Sequence, residues 1–351
     1  MRSAAHATKP KKDLKNLSIN SILAVLLLAV FWMSLFVGRY SIDPYTVLLI
    51  ITAQILAPFH LVQHTWPAVL DTVIWQVRFP RTLAAVLVGA GLAVSGATFQ
   101  GTFRNPLVSE SILGVSAGAL VGASIGILLG RGPFTIQLLS FGFGILAVAM
   151  TFSISRVYKA NPTLVLVLAG IVVGSLFSAI SALIKYVADP YSKLPDLVFW
   201  QMGSFGQISL TDVYVTAPIL LIGIAALMLV RWRLNILSMG DEEAVALGID
   251  TKTLRIVVIL CATLITAAAV AISGVIAWVG LIIPHIGRML VGPDHKKLLP
   301  TSVLIGGSFM LGVDIICRNV TTSEIPVSIV TSLIGVPIFL ILLKRGKESW
   351  S

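Results

Sequence analysis

Few residues of this chain have the types and spacing that catalysis requires. The long apolar runs contain almost no ionisable residues: Lys185 and Asp314 lie near the ends of their runs, Arg318 is one turn beyond Asp314, and His285 and Arg288 follow Pro284. No acidic pair, Ser/His/Asp set or His/Cys cluster falls inside an apolar run. Charged groups inside a bilayer are costly and persist where they have a task. The pattern therefore argues against an intramembrane enzyme and against an ion-coupled transporter.

Two short motifs are too incomplete to indicate a metal or nucleotide site. His60 and His64 have the i, i+4 spacing of metal ligands, but they stand in a proline-bearing segment, and we predict no metal site there. Gly346 and Lys347 are followed by Glu348 and lack the upstream glycine of a P-loop. If nucleotide drives this protein, another chain must therefore supply it.

A polar island, residues 238–255, separates two long apolar runs. It predicts two short helices, because Asp241 is a good N-cap for the first, Gly248 can end it, and Asp250 can cap the second. Two glutamates in the first turn suit the helix dipole. Residues 244–247 offer a small apolar face, about what a short helix needs to sit in a groove on another protein. An ordinary capped loop is the alternative.

Arg78 and Arg81 form a second unusual feature. They flank Pro80, a favoured first-turn residue, so the sequence predicts that they stand at a helix N-terminus, where the dipole disfavours positive charge. Lipid headgroups or an acidic partner protein would compensate. Arg318 either joins them or pairs with Asp314 at i, i+4.

The composition is that of a polytopic membrane protein. Of the 351 residues, 57% are hydrophobic and 11% are charged, and the mean hydropathy is +0.97. Cys261 and Cys317 lie in or at the end of apolar segments, so we predict neither a disulfide nor a thiolate metal site. The net charge of +10 is explained by membrane topology and does not indicate nucleic-acid binding.

The apolar runs predict an all-α fold with about ten transmembrane helices. Residues 1–20 form a basic cytoplasmic segment, and residues 344–351 form a cytoplasmic C-terminal tail. Residues 21–343 form a single transmembrane domain, in which residues 238–255 are a cytoplasmic loop that would couple it to a partner protein. The first span is Ser21–Val37, whereas Val47–Val62 is short and interrupted and is predicted to be interfacial. The other spans are Thr82–Gln100, Leu113–Leu129, Phe134–Ser153, Leu164–Tyr186, Val213–Val230, Ile256–Ile272, Val275–Val291, Leu298–Ile316 and Val327–Leu343.

Charge predicts the orientation of these spans. With the N-terminus inside, 18 of the 25 lysines and arginines lie on the cytoplasmic side, as the positive-inside rule expects. Both termini and the polar island are then cytoplasmic, while Arg78, Arg81 and Arg318 lie outside. A crossing by Val47–Val62 would largely reverse this bias.

Small residues and a weak internal sequence repeat give further information about how the helices pack. Glycines at every fourth position from Gly114 to Gly130 predict close helix packing, and a looser row runs from Gly89 to Gly101. The sequence Ala-Val-Ser-Gly ending at Gly96 has a counterpart, Ala-Ile-Ser-Gly, ending at Gly274, and each glycine precedes a proline by ten residues. Since the copies lie on oppositely directed spans, they support an inverted repeat.

Several stretches resemble the FecCD family, the permease subunits of type II ABC importers for iron siderophores, haem and cobalamin. The stretches are RFPRTLAAVLVGAGLAVSGATFQGTFRNPL (residues 78–107), ILGVSAGA (112–119), VFWQMGSF (198–205), LGI (247–249), SGVIAWVGLIIPHIGR (273–288) and IPVSIVTSLIGVPIF (325–339). The resemblance extends over nearly the whole chain after Gly38. Its many long motifs, in order, are specific for the family.

This resemblance implies a set of partners and a location. It implies two permease subunits around a central path, identical or different, two ATPase subunits inside, and an extracytoplasmic substrate-binding protein outside. The assembly would lie among the lipids of a bacterial or archaeal cytoplasmic membrane. The chain itself would carry no cofactor and would not be an enzyme, because ATP and magnesium would bind to the ATPase.

The resemblance also implies roles for particular residues. Arg78, Arg81 and Arg318 would receive glutamates of the binding protein, and helices Leu164–Tyr186 and Val327–Leu343 would line the path. Asn161, Pro162 and Thr163 match the inner gate. The residues assigned to ATPase coupling are Asp241, Glu242, Glu243, Ala244, Leu247, Gly248, Ile249 and Asp250.

We therefore expect the chain to import a metal chelate by alternating access, driven by its partner ATPase. A ferric siderophore is the substrate that the resemblance favours, with haem, cobalamin or an oxyanion as alternatives. An ATP-independent secondary transporter is the second alternative, and it would need intramembrane carboxylates for its coupling ions.

Overall fold

The computed structural model describes residues 9–56, 65–157 and 162–346, and every regular element in these ranges is helical. The elements are α1 (Lys9–Phe36), α2 (Pro44–Ile55), α3 (Ala68–Thr72), a π-helical turn (Val73–Arg78), α4 (Phe79–Thr102), α5 (Val115–Leu128), α6 (Pro133–Val157), α7 (Pro162–Val187), α8 (Lys193–Met202), α9 (Leu210–Met239), α10 (Asp241–Ala246), α11 (Thr251–Ser273), α12 (Val279–Val291), α13 (His295–Asn319) and α14 (Val327–Gly346).

The helices confirm the predicted all-α polytopic fold. Seven helical stretches of the described chain are long and apolar enough to cross a bilayer, and the shorter apolar helices α5, α12 and α14 coincide with the other three predicted spans. The start of α12 differs from the prediction, because the chain after Gly274 turns before the helix begins at Val279. α2 has 12 residues, too few to cross, and residues 57–62 of the predicted interfacial segment lie outside the described ranges.

Helix α4 lies at the centre of the bundle, where small residues allow α12 and α13 to approach its backbone. A Cβ atom on Gly89 would lie 2.3 Å from the carbonyl oxygen of Gly306 on α13. One on Gly96 would lie 1.9 Å from the carbonyl oxygen of Gly280 on α12. The looser row of small residues is thus a helix-packing surface, as predicted.

The regular glycine row packs α5 against α6. A Cβ atom on Gly122 would lie 2.2 Å from the carbonyl oxygen of Leu139, and Gly118 makes a similar approach to Phe143. Gly114 and Gly130 lie just outside α5, with φ angles of +82° and +63°, values that glycine adopts without strain. The predicted helix-packing groove is confirmed between the two ends of α5.

The two copies of the internal sequence repeat differ in local structure. Gly96 lies within α4, whereas Gly274 ends α11 with a φ angle of +73°. The shared residues therefore serve helix packing in one copy and helix termination in the other.

The prediction that Arg78 and Arg81 stand at a helix N-terminus is wrong. A helix runs without a break from Ala68 to Thr102, through the π-helical turn that ends at Arg78. The backbone N–H of Phe79 bonds to the carbonyl of Ile74, five residues earlier. Pro80 has no N–H with which to continue the α-helical pattern, and the wider turn accommodates this gap.

The polar island forms one short helix and the beginning of a long one. α10 covers Asp241–Ala246, with Gly240 rather than Asp241 in the N-cap position. Asp250 caps the next helix as predicted, by accepting hydrogen bonds from the backbone N–H groups of Lys252 and Thr253. That helix is α11, so the second predicted short helix is wrong: residues 251–255 are continuous with the apolar span, since no breaker separates them.

Candidate functional sites at the two ends of the bundle

Two polar clusters lie at opposite ends of α4. The coupling cluster consists of residues 240–255, including α10, and Arg104 reaches Gly240 just beyond the end of α4. The arginine cluster consists of Arg78, Arg81, Asp314, Arg318 and Glu324, around the start of α4 and the end of α13. We call the corresponding ends of the bundle the coupling face and the arginine face.

Helix α10 is fixed to the bundle by an ion pair and by its caps. Asp241 pairs with Arg255 of α11 at 2.6 Å, and the side chain of Ala244 is fully buried. The N–H of Ile249 bonds to the carbonyl of Ala244, and Gly248 has a φ angle of +75° in the turn between them. The short helix therefore has a defined orientation despite its six residues.

The N-terminus of α11 is stabilised by Asp250. Its carboxylate accepts hydrogen bonds from two backbone N–H groups and, at 2.6 Å, from the hydroxyl of Thr253. The bond from the Thr253 hydroxyl is the main cause that lowers the pKa of Asp250 below its ordinary value. The carboxylate thus stays ionised where the helix dipole favours negative charge.

The outward surface of α10 combines apolar and acidic side chains. Val245 and Leu247 are 62% and 61% exposed, while Glu242 and Glu243 are exposed beside them. Exposed aliphatic side chains with an acidic rim, held on a fixed helix, are suited to insertion into a groove on another protein. The predicted coupling residues therefore lie together, although Ala244 faces inward and supports the helix.

A polar network joins the end of α9, which precedes α10, to the start of α13. The Asn235 side chain near the end of α9 donates to Asp294 at 2.6 Å and accepts from the backbone N–H of His295 at 2.7 Å. His295 in turn packs against Gly101 at the end of α4. The network therefore links the ends of α4, α9 and α13.

At the arginine face, Asp314 lies between two arginines. Its Oδ1 atom accepts a hydrogen bond of 2.8 Å from Nε of Arg81, and its Oδ2 atom is 3.7 Å from Nε of Arg318. Arg81 also reaches Glu324 at 2.6 Å, and Arg318 donates to the backbone carbonyl of Ser34 at 2.7 Å. The predicted pairing of Arg318 with Asp314 is present, and it belongs to a larger buried network.

The three arginines predicted to dock a partner are buried. Arg78 and Arg81 are each 4% exposed and Arg318 is 6% exposed. Arg78 donates to backbone carbonyls of residues 35, 36 and 40, so its hydrogen-bonding capacity is also used inside the chain. A partner carboxylate would have to displace Glu324, whose side chain is 31% exposed. The docking role of these arginines stays a prediction.

Sequence reasoning missed two acidic residues. Glu324 completes the arginine cluster, and it is the first acidic residue after Arg318. Glu110 is 4% exposed, lies against Gly280, and has one carboxylate oxygen without a hydrogen-bond partner. It is the only acidic residue between Asp71 and Asp189, and that isolation was the available signal. It escaped notice because it lies between two predicted spans.

The helices implied to line the path have exposed apolar faces. On α7 and α14 the strongly exposed aliphatic side chains include Leu164, Leu168, Val172, Leu333 and Leu340. Of the predicted gate, Pro162 and Thr163 begin α7, and Asn161 lies outside the described ranges. The path and gate assignments stay predictions.

The described residues contain no group of three or more side chains suited to hold a metal ion. His60 and His64 lie outside the described ranges. In both polar clusters buried arginines face carboxylates: Arg255 pairs with Asp241, and Arg81 and Arg318 face Asp314.

Comparison with known proteins gives concordant matches. The model of the FecCD transport family matches residues 26–345. The molybdate import system permease protein MolB of Haemophilus influenzae is 44% identical over 331 residues, which cover 92% of this chain and 95% of that protein. The probable iron chelatin transport system permease protein of Helicobacter pylori is 38% identical over 278 residues, covering 79% of this chain and 84% of that protein.

A solved structure agrees in fold and sequence. It is described as "An inward-facing conformation of a putative metal-chelate type ABC transporter". The TM-score is 0.83 and the sequence identity is 40%, over 93% of this chain and 99% of that chain.

Proposed function

The chain belongs to the FecCD transport family, whose members are permease subunits of ABC importers, and from this premise we propose that it imports a metal in oxyanionic or chelated form. The coupling cluster carries this proposal. α10 exposes Val245, and Leu247 is exposed directly after it, while the Asp241–Arg255 ion pair holds the helix to the bundle. This arrangement suits a subunit that receives force from a separate ATPase.

In this proposal the ATPase subunits grip α10 from the cytoplasm. Their closure on ATP moves α10, and the Asp241–Arg255 ion pair transmits the movement to α11. The exposed faces of α7 and α14, paired with a second permease subunit, rock to open the path at residues 161–163. An external binding protein supplies the affinity for substrate. Magnesium and ATP are held by the ATPase, and this chain contributes the docking helix and the path.

For the substrate we put molybdate first and a ferric siderophore second. Molybdate is supported by the 44% identity to MolB across 95% of that protein. A siderophore, the substrate favoured by the family resemblance, is supported by the 38% identity to the iron chelatin permease. Haem and cobalamin remain further alternatives in the same family.

Transport by reconstituted vesicles tests both the proposed ATP-driven import and the proposed order of substrates. Vesicles with the permease, its ATPase and its binding protein are given labelled molybdate or a labelled ferric siderophore, with and without ATP. We expect ATP-dependent uptake of molybdate that excess siderophore does not inhibit. Uptake of siderophore alone would reverse the substrate order, and uptake without the ATPase would contradict the importer proposal. Glu243→Arg, on exposed α10, should lower uptake.

Glu110 provides a separate test against the ATP-independent alternative. It is the buried carboxyl group that a proton-coupled transporter would use, because it has no ionic partner among the described residues. We expect Glu110→Gln, which keeps the shape of the side chain, to retain most ATP-driven uptake. Uptake that follows an imposed proton gradient, and is lost in Glu110→Gln, would favour the secondary transporter.

A further inference from the structure

A shallow, open groove lies between α9 and α13, near the coupling face. The residues that line it are Met228, Leu229, Arg231, Trp232 and Lys296. Four of them belong to the same stretch of α9, and Lys296 comes from the first turn of α13. The groove thus joins residues that are far apart in sequence.

The groove carries two positive charges without a counter-charge. Arg231 and Lys296 approach it from different helices, and no acidic side chain is among its lining residues. Neither cation forms an ion pair with an acidic residue in the described part of the chain; the side-chain contact of Arg231 is with the sulfur of Met228 at 3.9 Å. Two converging cations favour an anion between them.

One acidic residue lies near this pair. Asp294 caps α13, where it accepts hydrogen bonds from the Asn235 side chain at 2.6 Å and from the backbone N–H of Lys296 at 2.9 Å. The third cation nearby, Arg233, stacks over the ring of Trp232 at 5.4 Å from its centroid. The positive charges of Arg231, Arg233 and Lys296 outnumber the single negative charge of Asp294, so the groove stays electropositive.

The wall of the groove on the membrane side is apolar. Leu229 is 79% exposed and Met228 lies beside it, one turn nearer the centre of the bundle than Trp232. Trp232 is 44% exposed, and tryptophan favours the boundary between headgroups and hydrocarbon. A ligand that fills this groove needs an anionic end and an apolar end.

The groove is separate from the coupling surface. Trp232 lies seven residues before the end of α9 at Met239, about 10 Å along the helix axis, and α10 begins only after the break at Gly240. An ATPase bound at α10 would therefore leave the groove at the level of the membrane surface. This position favours a lipid over a soluble protein.

We propose that this groove binds one anionic phospholipid, whose phosphate group contacts Arg231 and Lys296 and whose acyl chains lie along Leu229. The proposal rests on the predicted orientation, in which the coupling face is cytoplasmic and meets a leaflet where anionic lipids attract basic side chains. Each cation near such a surface increases binding about fivefold.

Fluorescence quenching of Trp232 by brominated lipid tests the proposal on the full chain in detergent micelles. Phosphatidylglycerol with brominated acyl chains is the probe, brominated phosphatidylcholine is the neutral comparison, and Trp232→Phe identifies the signal of this one residue. We expect half-maximal quenching at about 25-fold less phosphatidylglycerol than phosphatidylcholine. Arg231→Gln and Lys296→Gln should each reduce this preference about fivefold.

The matched control is Arg156→Gln, which removes an exposed cation near the end of α6. It should leave the preference unchanged. Equal quenching by both lipids, or an equal loss in the control, would overturn the proposal. Displacement of phosphatidylglycerol by inorganic phosphate would show a site for free anions and would overturn the lipid assignment, as would displacement by the ATPase. Because no transport is measured, failure here leaves the importer proposal intact.

Discussion

Both ends of the bundle carry arginines paired with carboxylates, but the two clusters differ in how much of each pair meets solvent. At the coupling face, Asp241 is 44% exposed and its partner Arg255 is 11% exposed. At the arginine face, Asp314 is completely buried between arginines whose side chains are 5% and 7% exposed. The Asp241–Arg255 pair fixes α10, which exposes other side chains to solvent. The charges around Asp314 are enclosed within the bundle.

This difference shows that charge in a sequence does not by itself indicate a docking surface. α10 offers a partner its exposed aliphatic and acidic side chains, and the ion pair beneath them costs little to maintain. At the arginine face the arginines already contact acceptors inside the chain. A protein that docks there would have to compete with these internal contacts. The following three changes separate these two uses of charge.

The largest effect is expected for Asp314→Ala. The substitution removes the carboxylate that accepts a hydrogen bond from Arg81 and faces Arg318 at 3.7 Å, and breaking a buried ion pair in this way costs about 3–5 kcal/mol. We expect a clear drop in the temperature of thermal unfolding of the purified protein. The matched change at the coupling face, Asp241→Ala, should cost less, since the carboxylate that is lost is 44% exposed. Equal losses at both sites would contradict the comparison.

An intermediate effect is expected for Leu247→Asp at the coupling face. It places a charge on the 61% exposed apolar surface of α10, and we expect the affinity for the ATPase to fall at least tenfold without a change in thermal stability. Val320→Asp is the control, because Val320 is an equally open aliphatic residue, 64% exposed, beyond the arginine face. Binding measured by surface plasmon resonance should be unaltered in the control; an unaltered Leu247→Asp would refute the coupling role of α10.

The smallest effect is expected for Glu324→Ala. Removal of this half-buried carboxylate frees one guanidinium nitrogen of Arg81, so binding of the substrate-binding protein should strengthen about threefold if a partner carboxylate takes the vacant position. Glu324→Gln keeps an acceptor for Arg81 and should change the affinity less. If calorimetric titration shows the same affinity for both variants as for the original protein, the arginine cluster is purely structural.

Much of the architecture follows from local sequence patterns. Apolar runs of sufficient length predict the spans, small residues at every fourth position predict a close helix contact along α5, and Asp250 predicts a helix start at residue 251. These features depend on residues within a few turns of one another, because helix formation and capping are local. The family resemblance is likewise carried by contiguous motifs.

The arrangement of the charges was decided only by the tertiary structure. Arg81 and Asp314 are 233 positions apart, and nothing near Arg81 in the sequence indicates that an acidic residue on α13 buries it. The same holds for Glu110 against Gly280, and for Lys296, which meets Arg231 where α9 and α13 pack together. Local patterns specify which segments form helices, but the partner of each charge depends on which helix faces are brought together by packing.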